Sequence, residues 1–232
     1  MLLEANGLRV SYGDVEVIHG IDFSISEGKT MVLLGLNGAG KTSLLMGLMG
    51  FIPTKGVIKL ESTRIDGLKP YERAKLGLAM VSEQGIFPSL TVKENLEVAG
   101  NSLPRHEIEK KIRHVVSTFP DIGGKIKQKA LELSGGQRKM LAIAMAYMVS
   151  PKLLLVDEPS LGLSPLFVEK VKEVLLQLKR SGITMLIAEQ NPSFVELADK
   201  VIVMDTGSIV FQGSTEEAIS NDKIRKTFFG IE

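Results

Sequence analysis

Eight consecutive residues, Gly35-Leu36-Asn37-Gly38-Ala39-Gly40-Lys41-Thr42, limit what this chain can fold into more than any other feature. They fit G-x-x-x-x-G-K-[ST], a loop whose backbone N–H groups cradle phosphates while the lysine and hydroxyl meet the β/γ-phosphates and Mg²⁺. The flanks agree with that role. Thr30-Met31-Val32-Leu33-Leu34 is a continuous apolar run, as suits a strand buried on both faces of a parallel sheet. Leu44, Leu45, Leu48 and Met49 follow at helical spacing, so the loop opens a helix whose N-terminal N–H groups and dipole favour anions.

A second pair of strings lies downstream: Leu133-Ser134-Gly135-Gly136-Gln137, and the apolar run Leu153-Leu154-Leu155-Val156 ending in Asp157-Glu158. Ser134 stands where a helix N-cap belongs, ahead of Met140, Leu141, Ile143 and Ala144. Two successive glycines there let a backbone approach an anion closely. Triphosphate cleavage needs positioning, charge neutralisation and an oriented water, and each need has a candidate. Lys41 neutralises β/γ-phosphate charge, while Thr42 and Asp157 support Mg²⁺. Glu158, one residue on and directed to the opposite side, can orient or deprotonate the attacking water.

Between these motifs the pattern is α/β. Leu8 to Tyr12 and Ile21 to Ile25 alternate apolar and polar, like half-exposed antiparallel strands, and Ile183 to Ala188 is a further buried strand. The intervening helix begins at Ser164-Pro165, serine as cap, and ends with Lys179-Arg180 before Gly182. Strand, helix, strand in that order gives a right-handed parallel unit. Thr91-Val92-Lys93-Glu94 is a capping box, Arg105 to Val116 a mixed-charge helix, and Val201 to Val210 a hairpin with a glycine-containing turn.

With Lys+Arg 28 against Asp+Glu 27, and no long basic run, charge does not imply a nucleic acid partner. The absence of cysteine excludes a disulfide framework and any cysteine-ligated metal. Met1 to Asn6 lacks the basic-then-apolar pattern of a leader, and the run Met140 to Val149 is too short to cross a bilayer. The expectation is a cytosolic chain whose membrane role comes through a partner. His19, His106 and His114 show no metal-ligand spacing and read as solvated surface; Met140, Met145 and Met148 read as core filling.

With these motifs in this order, the chain resembles the ATP-binding subunits of ABC transporters over essentially its whole length. The resemblance implies a single α/β P-loop (RecA-like) domain over residues 1–232 with a mostly parallel core. Residues 1–30 and 55–70 would form an antiparallel β part, and residues 31–54, 71–84 and 150–232 the ATP-binding core. Residues 85–149 would be a helical insertion carrying the signature loop. ATP would meet Tyr12, stacked on adenine, with Gly35, Asn37, Gly38, Ala39, Gly40, Lys41, Thr42 and Ser43 around the phosphates. Two subunits would pack head to tail, with Ser134, Gly135, Gly136 and Gln137 of the other subunit closing each site. The loop from Glu83 to Leu90, through Ile86, Phe87 and Leu90, would receive a helix of a membrane subunit.

Three departures place this member. The position that usually holds a Mg²⁺-touching glutamine is Glu83, with Gln84 adjacent, so either side chain can fill it. The loop after Asp157-Glu158 carries Ser164 where aspartate is usual, and Gln190 stands at the usual switch histidine. Gln190 joins Glu158 and Lys41 in the catalytic set, as an amide that bonds a γ-phosphate without titrating. Together with the ending Arg225 to Gly230, these residues are similar to the pattern in branched-chain amino acid importer ATPases and the related urea and amide importers. The resemblance thus implies a second, identical or non-identical, ATPase subunit, two integral membrane permease subunits, an indirectly linked solute-binding protein, and a place at the cytoplasmic face of the membrane. Two other readings stay open. One is an ATP-binding regulatory subunit with little hydrolysis, against which Glu158 argues. The other is a soluble ABC ATPase acting on DNA or ribosomes, for which tandem cassettes, a coiled coil or a basic face are expected and not visible.

Overall fold

Apolar runs long enough to be buried on two faces need a layer above and a layer below, and the chain supplies both. The computed structural model describes residues 1–229. Four strands, β1 (Leu3–Tyr12), β2 (Val15–Ile25), β4 (Thr54–Leu60) and β5 (Thr63–Arg64), form an antiparallel sheet in the order β2-β1-β4-β5. The other six are β3 (Thr30–Leu34), β6 (Leu78–Val81), β7 (Leu153–Asp157), β8 (Thr184–Glu189), β9 (Lys200–Asp205) and β10 (Ser208–Gly213). They form a second sheet in the order β10-β9-β3-β8-β7-β6, parallel throughout except for β10.

The period of two within each buried strand divides the core. From β3, Met31 and Leu33 face the antiparallel sheet, whereas Val32 and Leu34 face the helical layer; Leu155 and Val156 of β7 divide the same way. The first face is closed by β1, β2 and α1 (Lys41–Met49). The second is closed by α3 (Val92–Ala99), α4 (Arg105–Thr118), α5 (Pro120–Gly123), α6 (Gly135–Tyr147) and α7 (Pro165–Arg180). Each large aliphatic side chain buried in these layers contributes about 1.5–3 kcal/mol. A short α2 (Pro70–Lys75) packs beside α1, and α8 (Thr215–Ser220) follows β10.

Local chemistry sets the element ends. Thr91 and Ser214 cap α3 and α8 through reciprocal bonds with Glu94 and Glu217. Ser164 occupies the cap position of α7 but makes no capping hydrogen bond, so Pro165 at the first turn sets that start. The β9–β10 hairpin turns through Thr206 and Gly207, both at positive φ (40° and 76°), the geometry that suits a two-residue loop to strand twist.

The structure corrects some surface assignments. Ile86 is buried in the helical-side core, leaving Phe87 exposed and Leu90 half-buried in that loop. His114 is exposed, as expected, and its Nε2 lies 3.1 Å from the Tyr147 hydroxyl, with the two rings tilted against each other. His19 is exposed too, beside Glu16 with Nδ1 to Oε1 3.2 Å, in a cavity wall described below. The ending noted in the sequence, Arg225 to Gly230, is described only through Phe229. Among the described residues no helix is long and apolar enough to cross a membrane.

Candidate active site

Strand β3 delivers the chain into the glycine loop, and the loop closes tightly against its neighbours. Gly38 and Gly40 take φ of 84° and 97°, which glycine adopts without a steric penalty. A Cβ on Gly35 would lie 2.9 Å from the Met204 carbonyl oxygen, too close for any side chain. The hairpin turn anchors the loop: Gly207 N–H donates to the Ala39 carbonyl at 3.0 Å, and His19 N–H donates to Gly207 O at 3.0 Å. Helix α1 then starts from Gly40 with no side-chain cap, so its first-turn N–H groups are left for a ligand.

Those groups face an open cavity of about 480 Å³, lined by Asn37, Gly38, Gly40, Lys41, Thr42 and Ser43, with Val17, His19, Glu158, Thr206 and Gly207 around them. Tyr12 is not part of this lining; it is half-exposed, and its hydroxyl lies 3.4 Å from Ser43 Oγ. The Lys41 side chain is only 3% exposed. Its Nζ donates to the carbonyls of Gly35 at 2.8 Å and Leu36 at 3.2 Å, and pairs with Glu158 Oε1 at 3.0 Å. A buried ammonium with this loop around it is a site for highly charged oxygen ligands.

The carboxylates end β7. Asp157 Oδ1 is buried without a hydrogen-bond partner among the described residues. Burial pushes the Asp157 carboxyl up, as does the charge on Glu158; the Thr42 hydroxyl and the charges of Lys41 and Lys139 oppose the shift. Glu158 takes φ 41°, an unusual conformation for a residue with a side chain. It lines both the Lys41 cavity and an adjoining depression of about 360 Å³ shared with Ser160, Gly162, Gln190 and Asn191. Gln190 is exposed there.

Ser134 to Gln137 lie apart from this cluster. Ser134 caps α6, its Oγ accepting from Gln137 N–H at 3.3 Å while Gln137 Oε1 accepts from Ser134 N–H at 3.1 Å. Ser134 to Gln137 do not line the Lys41 cavity. Gly135 borders open space, whereas a Cβ on Gly136 would run into the Phe167 ring, so the second glycine is needed for close packing against α7. Glu83 turns to Lys139, 2.7 Å away, and Gln84 is exposed.

Glu189 escaped the sequence reading. Almost wholly buried, it accepts hydrogen bonds from Ser160 N–H at 2.8 Å and from Gln190 and Asn191 N–H, both at 2.9 Å, tying together the loops after β7 and β8. Its only sequence signal was a carboxylate ending an otherwise apolar strand.

A parallel sheet whose β3 runs through a glycine loop into α1, with Lys41 beside a β7 aspartate and glutamate, defines a P-loop nucleoside triphosphatase. The model of the family described as ABC transporter matches residues 18–161. The chain is 34% identical to the high-affinity branched-chain amino acid transport ATP-binding protein BraG of Pseudomonas aeruginosa, over 99% of this chain and 100% of that one. It is 32% identical to the probable branched-chain amino acid transport ATP-binding protein LivF of Archaeoglobus fulgidus, over 99% of both. An ATP-binding cassette of an ABC transporter in its ADP conformation superposes with a TM-score of 0.87 at 25% identity, covering 99% of both chains. The chain belongs to the ABC transporter family, as an ATP-binding subunit that hydrolyses ATP.

Proposed function

We propose that this ATPase drives uptake of branched-chain amino acids, or a related small polar solute, through membrane permease subunits to which it attaches at the cytoplasmic face. The full-length similarity to BraG and LivF supports the solute class. In the proposed complex a solute-binding protein acts only indirectly, delivering solute to the permeases.

ATP lies in the cavity over Lys41, with Tyr12 against the adenine. The backbone of Gly35, Asn37, Gly38, Ala39 and Gly40, with Ser43, surrounds the phosphates. Thr42 and Asp157 suit Mg²⁺, since a buried, unpartnered carboxylate oxygen beside a hydroxyl matches a cation that takes its remaining ligands from phosphate and water. When bound, that ion neutralises charge on the β- and γ-oxygens. Glu158 orients the water and Gln190 meets the γ-phosphate.

The observation that carries the pairing is the separation of Ser134 from the Lys41 cavity within one chain. An open cradle and an outward-facing Gly135 are reconciled when two cassette subunits, identical or related, pack head to tail and each ATP is held by both. Glu158→Gln keeps the shape of the site and removes the base, so MgATP is expected to hold this variant as a dimer in size-exclusion chromatography with light scattering. A variant that binds MgATP yet stays monomeric at high concentration would overturn self-pairing through these loops.

A further inference from the structure

Lys139 lies on α6, five residues after Ser134, and its side chain is 9% exposed. A buried ammonium needs partners for its charge and its N–H groups. Both come from the loops that follow parallel strands into the site. Nζ pairs with Glu83 Oε1, after β6, at 2.7 Å, and donates to the main-chain oxygen of Glu158, after β7, at 3.3 Å. Lys139 does not line the Lys41 cavity.

The carbonyl it holds is the informative partner. Glu158 adopts φ 41°, a conformation that persists only where its surroundings fix it. Its N–H donates to Ala188 O at 2.8 Å, and its carbonyl accepts from Leu161 N–H at 3.1 Å as well as from Lys139. Of these restraints, only Lys139 comes from the helix that Ser134 caps. The pair with Glu83 also commits the carboxylate that the sequence left as a candidate metal contact.

We propose that Lys139 is a positioning residue for ATP hydrolysis, holding the Glu158 backbone in its left-handed turn and tying Glu83 to the same point. The inference rests on the reading of Glu158 as the residue that orients water. It predicts an effect on turnover rather than on nucleotide binding. It also predicts coupling to Glu83, because the two side chains form one unit.

The test compares the full chain with Lys139→Met, Lys139→Arg, Glu83→Gln and the Lys139→Met/Glu83→Gln double variant, using steady-state ATPase assays and calorimetric ATP titration. Lys139→Met is expected to lower kcat by about tenfold or more while KM and ATP affinity stay within about twofold, as for a displaced catalytic group. Lys139→Arg regains most of the loss, since a guanidinium can serve both acceptors. Glu83→Gln costs less in the Lys139→Met background than in the wild type. Turnover of Lys139→Met within about twofold of wild type, fold-changes that multiply in the double variant, or parallel losses of kcat and ATP affinity without rescue by arginine would each overturn the proposal. Wild-type turnover in Glu158→Gln would instead overturn the reading of the site. An inactive Glu158→Gln beside a fully active Lys139→Met overturns only the role of Lys139.

Discussion

Asp157, Glu158 and Lys41 show how one site holds opposed charges before a ligand arrives. Lys41 is paired with Glu158, while Asp157 is left with a buried, unpartnered oxygen and a carboxyl pushed up by burial. Because the folded-state value lies above the unfolded one, the native protein binds more protons across the interval between them. Stability therefore falls as pH rises through that window, and above it the ionised Asp157 is a standing cost to the nucleotide-free fold. Asp157→Asn removes the charge without changing the shape. The nucleotide-free variant is expected to melt above wild type at about pH 7.5, with the gap closing as pH is lowered toward about 4. Thermal melts across that range decide the matter: a variant that is no more stable at neutral pH contradicts the account.

Helix α1 carries Lys41 at its first turn, and its far end is held by Arg73, a residue with no motif to announce it. Arg73 is 2% exposed, and its Nη1 donates to the last carbonyls of the helix, Gly47 at 2.8 Å and Leu48 at 2.7 Å. Nε reaches Leu68 O at 3.0 Å, and Nη2 reaches Asp66 O at 2.9 Å. Arg73→Met takes the donor from the Leu48, Leu68 and Asp66 carbonyls, while Gly47 O keeps the Gly50 N–H at 3.0 Å, and is expected to cost on the order of 3 kcal/mol. Lysine, whose ammonium cannot span all four, should fall between. Urea denaturation reads both, and a cost under about 1 kcal/mol would show that solvent or rearrangement satisfies α1 instead. Residues such as Arg73 mark where legibility in the sequence stops. The β3 run, the glycine loop, the Ser134 capping box and the β9–β10 turn are each encoded within about a dozen neighbouring residues, by period, cap or turn chemistry. Arg73 with Gly47, Lys139 with Glu83, and Glu189 with Ser160 join positions far apart in the chain, and no local pattern ties one to the other. Local pattern also overstated Ser164, whose hydroxyl makes no cap bond, and Ile86, which the core claims.

At the scale of the whole molecule, the central sheet carries the Lys41 loop at the end of β3 and Asp157-Glu158 at the end of β7, while Ser134 caps a helix in the layer packed on the sheet's other face. In the proposed head-to-tail pair, each chain would supply half of each of two sites, the Lys41 loop to one and the Ser134 loop to the other. The consequence can be tested by mixing two inactive variants. Lys41→Ala removes the phosphate-binding lysine and keeps Ser134; Ser134→Glu sets a carboxylate against the incoming triphosphate and keeps Lys41. In the mixed dimer, one site combines both lesions, and the other joins intact Lys41 from one chain to intact Ser134 from its partner. Hydrolysis should reappear on mixing, with a yield bounded by the share of mixed dimers, although neither variant hydrolyses ATP alone. If Lys41 and Ser134 served the same ATP within one chain, every site in the mixture would keep a lesion and mixing would restore nothing. Persistent inactivity, with both variants folded and MgATP supplied in excess, therefore counts directly against a site shared between two copies of this chain.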